Sequence, residues 1–223
     1  MAATTTLAQV RSIIRDRLDD QTFDGGIIDR NVNNYIFAIT GAHDFVFLEA
    51  SATPPTITVG NNTIALPLDY QHMNSLRMTA PSNYVTDLKD YYMNRNDFDR
   101  LTPSPTANPA GAPQYWKEYA QTIVFNQPAD QTYTYALDYQ KAPALLVNDS
   151  DVVCIPNEFI ECVVSGAVYR IQNRDDDYDL GMDEDSTLTP LEISLIKRYG
   201  SGRNAGKGSR MGGGLYTRNY RKL

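Results

Sequence analysis

The sequence predicts an α+β fold: an α-helical bundle with an inserted small antiparallel β-sheet domain and an extended C-terminal tail. Three observations predict it. Apolar residues recur at helical spacing near both ends of the chain, β-branched and aromatic residues alternate with polar ones between them, and the last stretch trades apolar periodicity for glycine and basic side chains. With 223 residues, 42% of them hydrophobic, the chain is long enough for one domain carrying an insertion and a tail. The expected boundaries are 1–44 for an N-terminal helical hairpin, 45–145 for the β-rich insertion, 146–198 for the C-terminal helices of the body and 199–223 for the tail.

Thr6 followed by Gln9 has the spacing of a capping box, in which hydroxyl and amide satisfy the orphan donors of a helix start. Leu7, Val10, Ile14 and Leu18 then predict an amphipathic helix over 7–19. Gly25-Gly26 interrupts the pattern, and a second helix follows with Ile28, Val32, Tyr35, Ile36 and Ile39 on its apolar stripe and Gly41 at its end. From Phe45 the texture is that of strands. The run TITVGNNTIALP predicts a hairpin turning at Gly60-Asn61-Asn62, because these residues adopt positive φ at low cost. SLRMTA reads as a further strand, and Leu88, Tyr91, Tyr92 and Phe98 as a short helix. TPSPTANPAGAP is a loop. Tyr115, Tyr119, Ile123 and Phe125, then Tyr133, Tyr135, Leu137 and Tyr139, predict a second hairpin turning at NQPAD, so that one small antiparallel sheet spans roughly residues 45 to 140. Pro156 and Glu158 open a third helix with a broad apolar face of Phe159, Ile160, Val163, Val164, Ala167, Val168 and Ile171. Thr189 and Pro190 have the character of N-cap and first residue of a fourth, carrying Leu191, Leu195 and Ile196.

Charge is divided sharply along the chain. Its 20 Lys and Arg against 27 Asp and Glu give a net −7. From Lys197 to Leu223 there are eight basic residues and no acidic one, which leaves 12 basic against 27 acidic residues, a charge of −15, on residues 1–196. Phosphate contacts supply most non-specific affinity for nucleic acid, so such a body repels DNA. No apolar run approaches the length of a membrane span, and MAATTTLAQV lacks a signal-peptide pattern; a protein made in the cytoplasm with no membrane partner is expected. Cys154 and Cys162, the only two cysteines, read as buried thiols rather than a disulfide framework.

Catalytic and metal-binding readings find little support. The seven carboxylates between Asp175 and Asp185 fail the EF-hand register, with Leu180 and Ser186 where glycine and a bidentate glutamate are required, so a solvated acidic loop is expected. His43 and His72 have no partner at metal-ligand spacing and read as turn or cap residues. No nucleophile elbow, P-loop or dinucleotide fingerprint accompanies them, so no enzyme, no cofactor and no metal is expected. Trp116 could stack on a base, yet its place in an alternating, acidic segment favours sheet packing or a subunit contact.

The tail is the most informative segment. It holds half of the 14 glycines and has no periodicity, so on its own it forms no core and is expected to be disordered in the free protein. It nevertheless spaces Tyr199, Met211, Leu215, Tyr216, Tyr220 and Leu223 among Arg203, Lys207, Arg210, Arg218, Arg221 and Lys222. Ordering ~20 residues costs on the order of 30 kcal/mol, which requires burial of roughly 1,200 Å² of apolar surface at ~25 cal/mol per Å². A large protein partner can supply that by strand addition. The alternative is a nucleic-acid-binding module that uses the same arginine- and glycine-rich tail.

The order of segments carries a family resemblance. Leu66, Pro67, Asp69 and Tyr70 form an LP-x-DY turn; Gly111, Pro113 and Tyr115 a G-x-P-x-Y strand start; Pro128 and Asp130 a hairpin tip; Tyr139 and Pro143 a Y-x-x-x-P exit. With the flanking helices, over about residues 7 to 180, the chain resembles the head-to-tail adaptor (connector) proteins of tailed bacteriophages, closest to those of short-tailed phages. The resemblance implies a structural virion protein at the neck: a homo-oligomeric ring, usually a dodecamer, that joins the portal protein to the nozzle or another tail protein and forms part of the DNA ejection channel. Genomic DNA would pass without specific binding. Portal docking would fall to Tyr199, Arg203, Lys207, Arg210, Met211, Leu215, Tyr216, Arg218, Tyr220, Arg221 and Lys222.

Overall fold

The computed structural model describes residues 4–81, 86–88, 91–172 and 189–200. Among them are five α-helices, α1 (Leu7–Leu18), α2 (Gly25–Ala42), α3 (Arg95–Leu101), α4 (Ile160–Gln172) and α5 (Pro190–Tyr199), and two antiparallel sheets. The class is the α+β mixture the sequence predicts. The chain divides into two compact units: Met1–Phe47 with Ala144–Leu223, and Leu48–Pro143.

The first unit is a helical core built from both ends of the chain. The Thr6 hydroxyl accepts from the Gln9 amide and the Gln9 side chain accepts from the Thr6 N–H at 2.9 Å, so the predicted capping box starts α1. Gly25 and Gly26 do not interrupt the helical pattern as expected; they begin α2. The Asp24 carboxylate accepts from the N–H groups of Gly26 at 2.7 Å and Ile27 at 3.3 Å, and this cap outweighs the entropic penalty of glycine in a first turn. Gly41 lies inside α2 as well, and the helix runs on to His43 as its C-cap. Leu7, Val10 and Ile14 of α1, Ile28, Val32, Ile36 and Ile39 of α2, Val163, Val164 and Ala167 of α4, and Leu195 of α5 are buried together. Helices α2 and α4 approach closely at Gly166, where an added Cβ would lie 2.1 Å from the Tyr35 ring.

Polar contacts fix the returning chain to this core. The buried Asn33 amide donates to the Leu146 carbonyl and accepts from the Leu146 N–H, both at 2.9 Å, in the manner of a strand partner. The Arg11 guanidinium grips both oxygens of Asp29, at 2.5 and 2.8 Å, and also bonds Asp149. Thr5 and Thr6 run against Asp151–Val153, with Leu7 N–H donating to Asp151 O at 2.9 Å and Val153 N–H to Thr5 O at 2.9 Å.

The described residues of the second unit hold eight strands, β1 (Glu49–Ser51), β2 (Thr56–Ile57), β3 (Thr63–Ala65), β4 (Tyr70–Ala80), β5 (Thr86–Asp87), β6 (Trp116–Tyr119), β7 (Thr122–Phe125) and β8 (Tyr133–Lys141). They form two sheets rather than the single one expected: β1-β8-β4-β5 with β2 also on β8, and β3-β7-β6. Tyr133, Tyr135, Leu137 and Tyr139 alternate onto the buried face of β8, as predicted, and share one core with Ile64, Trp116, Ile123 and Phe125 of the smaller sheet.

Neither predicted hairpin forms. Gly60 does turn the chain, at φ 82, but β2 then pairs with β8 and β3 with β7. NQPAD likewise connects β7 and β8, which belong to different sheets. The tight hairpin is instead β6–β7, closed by Ala120 and Gln121 at φ 48 and 59. The helix expected across Leu88 to Phe98 is limited to α3, because Asn94 caps its start by accepting from the Asp97 N–H at 2.9 Å, while β5 occupies Thr86–Asp87.

Two substitutions read these contacts. Gly166→Ala, normally worth up to about 1 kcal/mol in favour of a helix, should here destabilise by about 1–3 kcal/mol, since the methyl has no room beside Tyr35. Tyr135 is fully buried with no hydrogen-bond partner for its hydroxyl among the described residues, so Tyr135→Phe should leave the melting temperature unchanged or raise it. Thermal unfolding followed by circular dichroism checks both.

Candidate partner-binding site

The feature that stands out is the place where α5 ends and the tail begins. Thr189 is the N-cap of α5 and Pro190 its first residue, as the sequence predicts; a capping box with Glu192 adds to the cap, Leu195 and Ile196 are buried, and Leu191 is exposed. The Glu192 carboxylate also accepts from the buried Tyr35 hydroxyl at 2.8 Å, tying the front of α5 to α2. Burial, followed by the Glu192 charge, pushes the Tyr35 phenol well above its ordinary range, so this bond keeps its proton at every physiological pH.

At the other end of α5, the Tyr199 ring stands edge-on to Phe47 and to Phe159, with centroids 6.0 Å away in each case. Its hydroxyl donates to Glu158 Oε1 at 2.5 Å, and Arg198 Nη1 donates to Glu158 Oε2 at 2.8 Å. The hydrogen bond to Glu158 raises the Tyr199 pKa. Gly200 follows in an extended conformation, donates to the Ile196 carbonyl at 2.8 Å and forms an antiparallel bridge with Phe45. A Cβ there would lie 2.4 Å from the Ile196 oxygen, which reserves the position for glycine.

Of the residues expected to dock on a partner, Tyr199 therefore sits in the last turn of α5. Arg203, Lys207, Arg210, Met211, Leu215, Tyr216, Arg218, Tyr220, Arg221 and Lys222 lie outside the described residues, as does the acidic run Asp175–Asp185. Sequence reasoning missed Phe45, Phe47, Glu158 and Gly200 as residues that hold or end the last turn of α5. Gly200, directly after a helix, was the one legible signal; nothing in the spacing ties Glu158 to residues some forty positions on.

Other candidates are absorbed by the fold. His43 is the C-cap residue of α2, half-buried, with its pKa lowered by burial against the opposing pull of Asp44 and Glu192. His72 is an interior residue of β4, opposite Gln140 of β8. Trp116 is buried, donates its indole N–H to the Leu88 carbonyl at 2.6 Å and receives Tyr92 edge-on at 5.0 Å. Cys162 is buried, its thiol pushed up to about 11 chiefly by desolvation, and Cys154 is half-buried. Among the described residues no three His, Cys, Asp or Glu side chains gather to hold a metal ion, and no helix is long and apolar enough to cross a membrane.

Comparison with known proteins gives one result. Residues 4–190 match the sequence model of a family described as SU10 adaptor protein. No curated protein matches the chain.

The burial of Trp116, the only tryptophan, gives a direct optical test of the stacking reading. Its fluorescence should be shielded from acrylamide and unchanged when single-stranded oligonucleotide is added; quenching by the oligonucleotide would restore the nucleic-acid platform.

Proposed function

We propose that this chain, which belongs to the SU10 adaptor protein family, is one subunit of a head-to-tail ring that joins the portal to the nozzle or another tail protein. Family membership makes it a structural adaptor protein of a bacteriophage, located at the neck of the virion beside portal and tail proteins. The finer reading takes the adaptors of short-tailed phages as its pattern: a closed ring, twelve-fold by analogy, around a channel through which DNA leaves.

The family match carries this reading, and charge gives it a physical rationale. A body of residues 1–196 with 27 acidic side chains against 12 basic ones does not hold phosphate, so a duplex slides past it. The segment from Lys197 onward carries eight basic residues and no acidic one and is glycine-rich, and residues 201–223 would reach about 75 Å when extended. That suits an arm laid along a large neighbour, and the portal is the neighbour that an adaptor has. Closed rings also need two different complementary patches on each subunit, and the exposed Tyr91, Tyr92, Tyr115, Tyr119 and Tyr169 are side chains of the kind interfaces favour.

Deleting residues 201–223 should abolish binding to purified portal rings while leaving the helical circular dichroism intact, and binding by the full chain should weaken as salt rises. Undiminished binding by the truncated chain would overturn the docking role. Retardation of DNA by the full chain in a gel, lost steeply with salt, would favour the nucleic-acid-binding alternative instead.

A further inference from the structure

We infer that Glu158 is the positioning residue of the tail: by holding Arg198 and Tyr199 with its two carboxylate oxygens, it sets the point and direction at which the chain leaves α5 for its partner. The inference rests on the proposal that the tail docks on the portal, and it adds a residue of the body to that interaction.

Helix ends fray, and a helix of ten residues has little stability of its own. The last turn of α5 is nevertheless held from three sides. Phe47 and Phe159 flank the Tyr199 ring, Glu158 takes a separate donor on each oxygen, and Gly200 is paired with Phe45. The Arg198 guanidinium also lies 5.6 Å from the Tyr199 ring centroid, so the two side chains that share Glu158 support each other. Both bonds to Glu158 involve an ionised partner, the stronger kind of hydrogen bond.

α5 has independent anchors in the Tyr35–Glu192 bond at its front and in the buried Leu195 and Ile196 farther along. Removal of Glu158 therefore loosens the last turn and leaves the helix on the body. A loosened root spreads the tail over many exit directions, and apparent affinity falls in proportion to the fraction that remains competent. A fixed root is preorganisation for docking.

The test compares the full chain with Glu158→Ala, Tyr199→Phe, the double variant and the deletion of residues 201–223, measuring portal-ring affinity and amide exchange at Leu195 and Gly200. Glu158→Ala should speed exchange at Gly200 about tenfold with Leu195 unchanged, and weaken portal binding roughly three- to tenfold. Tyr199→Phe keeps the ring between Phe47 and Phe159 and should show part of the same loss; the double variant should be no worse than Glu158→Ala, because both remove one latch. Should Glu158→Ala fail to fold, Tyr199→Phe provides the same comparison. Binding unchanged by these substitutions but abolished by the deletion would overturn the role of Glu158 and leave tail docking standing. Binding unchanged by the deletion would overturn both.

Discussion

The Tyr35 ring lies against the bare backbone of Gly166, and the helical unit is organised around that contact. It joins α2, near the start of the chain, to α4, more than a hundred residues later. No side chain can stand between them, so the two helices meet at the short distance that only glycine permits. The same tyrosine then reaches Glu192 on α5 with its hydroxyl, and Arg170 of α4 covers its ring at 5.4 Å. One residue thus collects three helices that the sequence keeps apart, and the surrounding apolar core fills in on terms set by that spacing.

Such a core has to tolerate a long excursion. The chain leaves the helical unit after Phe47 and returns at Ala144. Closing a loop of this length adds little over a shorter one, since each doubling costs only about 0.6 kcal/mol, provided both ends are tied. The return is tied by the Asn33–Leu146 pair and by the Asp149–Val153 stretch against the N-terminal residues. Carboxylates do much of this local work. Asp151 accepts from the N–H groups of Asn148 and Val147, and Asp20 is held by Thr22; in both cases these bonds draw the pKa below the ordinary carboxylate value. A depressed folded pKa means stability that is complete above the unfolded carboxylate pKa and is lost as pH falls through the folded one. Part of the acidity of the body is therefore also structural.

What could be read in advance divides along the same line as local and non-local interaction. The starts of α1 and α5 were legible because Thr6-Gln9 and Thr189-Pro190 carry their capping chemistry within four residues. The buried face of β8 was legible because alternation is a property of one strand. Strand partners were not. Gly60 signals a turn, and the turn is there, but whether the flanking strands pair with each other depends on β7 and β8, about seventy residues away. Among the described residues, the tight hairpin β6–β7 is closed by Ala120-Gln121, a pair with no glycine or asparagine to announce it. The same limit applies to the site: the basic, glycine-rich character of the tail is visible in composition, whereas Glu158 as the partner of Arg198 and Tyr199 is visible only once α4 and α5 are packed.

The family match and the structure meet at α5. The matched region ends at residue 190, the first residue of α5. The surface that receives α5 lies inside it: Tyr35 on α2, Phe45 and Phe47 where the chain leaves the helical unit, Glu158 and Phe159 at the head of α4. A tail whose composition cannot build a core gains a defined origin by ending its last helix on residues that already have one. For the docking proposed above the division would be physically economical, because an arm that conforms to a partner requires constraint at its root. Constraint at the root costs the arm nothing there, since Gly200 has already been fixed by the bridge to Phe45 before the first residue of the arm begins.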